Sequence, residues 1–138
     1  MLESTNTKNA NLPSVKIGTD ICQTNRIKKV YEKYGERFLN RVLTKNEKQY
    51  VISNQRQLIN RLSGRFAAKE AVSKVLETGF KGVYFKEIEI TRDPSGKPNI
   101  LLHQRAQKIA EDKKLFNFEV SISHDHDFAI AFVVAVKK

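Results

Sequence analysis

Residues Phe128 to Val136 alternate two sizes of apolar side chain. Phe128, Ile130, Phe132, Val134 and Val136 are mostly bulky; Ala129, Ala131, Val133 and Ala135 between them are smaller. Alternation of period two marks a β-strand, and a strand apolar on both faces is expected to be covered on both. The small-residue face admits a helix at close range, so the chain needs one long helix to lie there. The run from about Gln55 to Leu76 provides it, with Leu58, Ile59, Leu62, Phe66, Val72, Val75 and Leu76 on a core stripe and Gly79 and Gly82 ending it.

The remaining pattern fills in around this pair. Val15 to Cys22 alternates Val15, Ile17, Thr19 and Ile21 against Lys16, Gly18, Asp20 and Cys22, a half-buried strand in which Asp20 points away from the Ile17/Ile21 face. Thr24 and Asn25 are placed to cap a following helix that carries Ile27, Val30, Tyr31 and Tyr34, which Gly35 interrupts. A short helix holds Phe38, Leu39, Val42 and Leu43, and Thr44-Lys45-Asn46-Glu47 reads as a capping box. Lys86–Thr91 and Asn99–Leu102 read as strands around an Asp93–Pro98 turn, His103–Lys114 as a helix, and Phe118–Ser123 as a strand joined to the last one by a turn at 124–127. The class is α+β: a small antiparallel sheet packed on a long central helix.

With 138 residues the chain is expected to form one domain, 15–138, behind a flexible polar extension, 1–14. The core is small enough that oligomerisation would help bury apolar surface. No run reaches the roughly 18 apolar residues of a membrane span, and no apolar segment near the start suggests a secretory signal. The single Cys22 excludes an internal disulfide and fits a reducing cytosol. The net charge of +10 is unevenly spread: residues 26–74 hold thirteen Lys/Arg and four Asp/Glu, residues 81–138 ten and eight. Such a field favours anionic partners: a nucleic acid, an anionic cofactor or an acidic protein.

Asp20 lies in Ile17-Gly18-Thr19-Asp20-Ile21, and Glu70 in a helix segment dense with cations, Gly64-Arg65-Phe66-Ala67-Ala68-Lys69-Glu70-Ala71-Val72-Ser73-Lys74. Mg2+ prefers oxygen ligands and takes one or two carboxylates with phosphate oxygens and water. The same residues also read more plainly, Glu70 and Lys74 as an i,i+4 salt bridge and Asp20 as a cap or turn residue. His124 begins the 124–127 turn, where a histidine can hydrogen-bond backbone or meet a phosphate near neutral pH. His124 and His126 lack a suitably placed third ligand for zinc. No phosphate-binding glycine loop, dinucleotide fingerprint or nucleophile elbow occurs, and the aromatics do not interleave with the basic residues as a nucleic-acid stacking surface would.

In order and spacing, Ile17-Gly18-Thr19-Asp20-Ile21 with Arg26-Ile27, Phe66-Ala67-Ala68-Lys69-Glu70-Ala71-Val72-Ser73-Lys74, and Ser121-Ile122-Ser123-His124 before the Ala-rich strand resemble the holo-acyl-carrier-protein synthases (AcpS), small 4'-phosphopantetheinyl transferases. The similarity spans about residues 15–138. It implies Mg2+-dependent transfer of phosphopantetheine from coenzyme A to a serine of apo-acyl carrier protein, releasing adenosine 3',5'-bisphosphate and supporting fatty acid biosynthesis in the cytoplasm. By the same resemblance Asp20 and Glu70 are the metal ligands, Glu70 and Lys74 the catalytic pair, and Arg65, Lys69 and His124 coenzyme A contacts. Arg26 then docks the acidic carrier protein, and the assembly is a homotrimer with sites between subunits. Two stretches depart from the family pattern: Glu77–Gly82 carries an added Phe80, and Asp125-His126-Asp127 replaces a smaller turn. A nucleic-acid-binding module and a catalytically dead scaffold of the same fold are the competing readings.

Overall fold

The structure, a computed structural model, describes residues 12–138. Most of the expected 1–14 extension thus lies outside the described residues, and the first strand already begins at Ser14. A three-stranded antiparallel sheet has the order β1 (Ser14–Gln23), β5 (Phe128–Lys137), β4 (Leu115–His124), and a separate hairpin pairs β2 (Ile88–Arg92) with β3 (Pro98–Leu102). The helices are α1 (Thr24–Tyr34), α2 (Glu36–Val42), α3 (Lys45–Ile52), α4 (Leu58–Val75) and α5 (Gln104–Asp112).

Helix α4 lies on the small-residue face of β5, as the alternation predicts. Ala131, Val133 and Ala135 are fully buried in one cluster with Ala67, Ala68, Ala71 and Val72 of the helix, and Ala129 is fully buried as well. Each pairing of small side chains lets helix and sheet approach closely, and the approach is tightest at β1. A Cβ added to Gly18 would sit 2.2 Å from the carbonyl oxygen of Ala71. Gly18→Ala is therefore expected to lower the unfolding free energy by about 3 kcal/mol, at the upper end of the usual overpacking cost. Urea denaturation measures this; parental stability would mean that helix and strand can separate without loss.

A second apolar cluster joins α1, α2 and α3 to the start of α4 through Ile27, Leu39, Val42, Leu43, Val51, Leu58 and Leu62. Gly35, at φ 54°, makes the break between α1 and α2. The Thr44 capping box forms as expected: Thr44 Oγ1 accepts from the Glu47 amide at 3.3 Å, and Glu47 Oε1 accepts from the Thr44 amide at 2.9 Å.

Three local expectations are corrected. The β1 alternation is present but faces the other way: Val15, Ile17 and Ile21 are about 60% exposed (59%, 63% and 58%), while Gly18, Asp20 and Cys22 turn toward α4. Contact with the helix demands the small residue, and Gly18 is on the Asp20 side. The bulky face of β5 is likewise open in the single chain, with Phe128, Ile130 and Phe132 all exposed. The two strands thus present one apolar surface, in which Ile21 pairs with Ile130, Ile17 with Val134 and Val15 with Val136. Finally, Thr24 does not cap α1; its hydroxyl donates to the His126 carbonyl at 2.6 Å and its amide to the Asp127 carbonyl at 2.9 Å. Those bonds tie the 124–127 turn to the beginning of α1.

Candidate active site

Asp20 is carried to the helix by the strand pairing that sets it opposite Ala131. Glu70 comes from the middle of α4. The two side chains line one cleft of about 630 Å³ together with Arg26, Cys22, Phe66 and Phe128. Lys74 does not form the i,i+4 bridge with Glu70. Its ammonium donates to the Thr19 carbonyl at 2.8 Å and pairs with Asp20 Oδ1 at 3.4 Å. Glu70 forms no ion pair among the described residues, and burial together with the Asp20 charge raises its carboxyl above the ordinary value, partly offset by Lys74. Two oxygen-donor carboxylates lining one cleft, the charge of one opposing ionisation of the other, are a set that a divalent cation would relieve. Cys22 in the same cleft is inert: burial, with Asp20 adding to it, pushes the thiol up to about 11.

Arg65 and His124 do come together, in a different cleft of about 170 Å³ that also takes in Arg61, Arg92 and Tyr50. The guanidinium carbons of Arg61, Arg65 and Arg92 stand 4.0, 4.3 and 4.5 Å from the centre of the Tyr50 ring. Arg65 is 6% exposed, and its Nε has no hydrogen-bond partner among the described residues. Burial lowers its pKa, opposed by Glu47 and Tyr50 and reinforced by the charges of Arg92 and Arg61. Three guanidiniums on one ring with an orphaned donor make a site for a strongly anionic group such as a phosphate. Sequence reading missed Arg61 and Arg92. Arg61 could have been found, since it is one helical turn before Arg65; Arg92 could not, because nothing local marks the end of β2 as facing α4.

Lys69 does not fit a ligand contact. Its side chain is wholly enclosed, and its ammonium donates to Glu47 Oε1 at 2.7 Å, the Phe85 carbonyl at 2.9 Å and the Ile88 carbonyl at 2.6 Å. All three donors are spent inside the protein, so no coenzyme A oxygen can reach one. Arg26, by contrast, stands at the mouth of the carboxylate cleft on the first turn of α1.

The model of the 4'-phosphopantetheinyl transferase superfamily matches residues 16–133, nearly all of the described chain. The chain belongs to that superfamily. Among curated transferases, the holo-[acyl-carrier-protein] synthase of Gloeobacter violaceus is 44% identical over 121 residues, covering 88% of this chain and 92% of that protein. Two solved structures of transferases align over most of their lengths. The Neisseria meningitidis holo-[acyl-carrier-protein] synthase has a TM-score of 0.80 at 37% identity, covering 87% of this chain and 96% of that one. The Helicobacter pylori enzyme, solved in complex with coenzyme A, has a TM-score of 0.75 at 34% identity, covering 86% and 98%. The expected α+β transferase fold, with its antiparallel sheet and long helix, is therefore the fold of this chain. No described helix is long and apolar enough to cross a membrane.

Proposed function

We infer that this transferase is a holo-[acyl-carrier-protein] synthase: it moves the 4'-phosphopantetheine group from coenzyme A to a serine hydroxyl of apo-acyl carrier protein. The serine oxygen forms a new bond to the phosphorus that bears the pantetheine arm. The bond from that phosphorus to the departing phosphate breaks, and adenosine 3',5'-bisphosphate leaves. The observation that carries this reading is the pairing of Asp20 and Glu70 in a single cleft of a chain with the synthase fold.

Asp20 and Glu70 are the residues we assign to Mg2+, on their all-oxygen donor set and the Glu70 charge that Lys74 only partly offsets. A bound Mg2+ would neutralise the pyrophosphate and the charge that grows on the leaving group. Lys74, held by Thr19 and Asp20, adds a positive charge beside Asp20. The serine proton passes to the Glu70 carboxylate, and much of the rate comes from holding the reactants in line. Arg65, Arg61, Arg92 and His124 take the adenosine 3'-phosphate end of coenzyme A, the group their charge and the orphaned Arg65 Nε suit. Arg26 and the basic 26–74 segment receive the acidic carrier protein, whose approach such a field accelerates.

The linings of the two clefts share no residue within a single chain. We assign the missing half to a neighbouring copy. The exposed apolar face of β1 and β5 supports this, because a patch with Ile17, Ile21, Ile130 and Phe132 all open to water favours burial against another subunit. A homotrimer that closes this face brings the carboxylates of one copy to the arginines of the next. A reducing cytoplasm suits the lone, poorly ionised Cys22 thiol, and fatty acid biosynthesis is the use we assign to the loaded carrier. The test is incubation with coenzyme A, Mg2+ and apo-carrier protein, followed by intact mass. A gain of one phosphopantetheine group on the carrier is expected; no gain on any suitable carrier would end the synthase reading.

A further inference from the structure

We propose that the buried Glu47–Lys69 ion pair fixes the direction of Glu70, which makes Glu47 and Lys69 positioning residues for phosphopantetheine transfer. The proposal rests on Glu70 acting in the carboxylate cleft.

Glu70 is bracketed by its two neighbours in sequence. Lys69 before it is bound at three points: to Glu47 on α3, to the carbonyl of Phe85, which opens the 3-10 turn Phe85–Glu87, and to that of Ile88 just after it. Ala71 after it is pressed against β1 at Gly18, where even a methyl group would not fit. Successive residues of an α-helix point about 100° apart, so anchors at 69 and 71 hold the helix from two sides and leave position 70 facing between them. Glu47 is itself fixed. Oε1 accepts from the Thr44 amide at 2.9 Å as well as from Lys69, and Oε2 accepts from the Ile90 amide at 3.0 Å. One carboxylate therefore ties the start of α3, the middle of α4 and β2 to a common point.

Stability alone does not account for this arrangement. Both members of the pair have no side-chain exposure, and a fully desolvated ion pair holds a fold no better than apolar side chains of similar volume. Apolar packing, however, tolerates rotation and sliding of a helix, whereas an ammonium with three acceptors on separate segments accepts one placement. A carboxylate that must meet a cation and a serine hydroxyl needs that placement held to a fraction of an ångström.

The test compares the parent with the double variant Glu47→Gln/Lys69→Met, in which neither member is left as a lone buried charge. The double variant is expected to melt cooperatively. At a temperature where it is fully folded, its kcat should fall on the order of 100-fold, the cost of a misplacement near 1 Å. Any rise in its KM for coenzyme A should be small beside the fall in kcat: Glu47 faces Arg65 and shares α3 with Tyr50, but the guanidinium keeps its place on the Tyr50 ring. A folded double variant with parental kcat, or a change confined to KM, overturns the proposal. Should the double variant fail to fold, Glu47→Gln alone, which keeps an acceptor for Lys69, is judged by the same split. Glu70→Gln measured alongside separates the two ideas. Parental turnover in Glu70→Gln would remove Glu70 from the site altogether, whereas an inactive Glu70→Gln beside a fully active folded double variant would sink only the positioning role.

Discussion

Glu70→Gln is expected to reduce kcat/KM for phosphopantetheine transfer by about 1,000-fold or more, roughly 4 kcal/mol of transition-state stabilisation. The substitution removes a metal-binding oxygen charge and the serine's proton acceptor at once while keeping the side chain's shape. It should not weaken the fold. Burial and the Asp20 charge raise the Glu70 carboxyl above its ordinary 4.5. Between 4.5 and the raised value the folded state holds a proton that the unfolded state has released, so ionising Glu70 costs stability as pH rises through that window. Below 4.5 both states are protonated and the cost vanishes. The Gln variant should therefore melt at or above the parent near neutral pH, with the difference disappearing below about pH 4. Thermal melts at both pH values beside the intact-mass assay check this. Parental kcat/KM would refute the role, and a lower melting temperature at neutral pH would show that Glu70 supports the fold instead.

The second large effect is expected from Phe132→Glu. Phe132 lies on the central strand, paired with Thr19 on one side and Ser121 on the other, in the middle of the open apolar face. In a lone chain this side chain already meets water, so the substitution should leave folding intact. In an assembly that covers the face, each copy would bury a carboxylate with no partner, at a cost of several kcal/mol per ion. The variant is expected to sediment as a monomer and to lose at least about 100-fold in turnover, since each isolated chain would retain Asp20 and Glu70 but lack the opposite half of the site. An oligomeric, fully active Phe132→Glu protein would show that this face is not the interface.

Much of this arrangement is legible in the sequence. The size alternation of Phe128–Val136 identifies the strand and the helix that must cover it, and the Thr44 capping box and Gly35 break are visible from residue type alone. Which face of β1 turns inward is not legible from hydrophobicity, because two criteria conflict there. Apolar patterning favours Ile17 and Ile21, whereas helix contact requires Gly18, and contact prevails once the apolar side can be covered by something other than the chain itself. The same gap affects the site. Asp20 and Glu70 are identifiable by motif, but Lys69 in the same motif carries no sign that its partner is Glu47, 22 positions earlier, rather than a ligand. A lysine in a cation-rich helix looks solvated until its acceptors, two of them backbone carbonyls, are placed around it.

β5 has no idle side. Both of its edges are hydrogen-bonded, to β1 and to β4, its alanines are closed off by α4, and its large residues form the middle of the apolar face. A substitution at an odd position is answered by the helix, and one at an even position by whatever copy covers the open face, so change along this strand should be poorly tolerated in an assembly that closes it. β3 is paired with β2 alone in its sheet and half open along its length, with Ile100 and Leu102 its two contacts to the core. Sequence drift in proteins built this way is expected to collect in the exposed Asp93–Lys97 turn and spare the last strand.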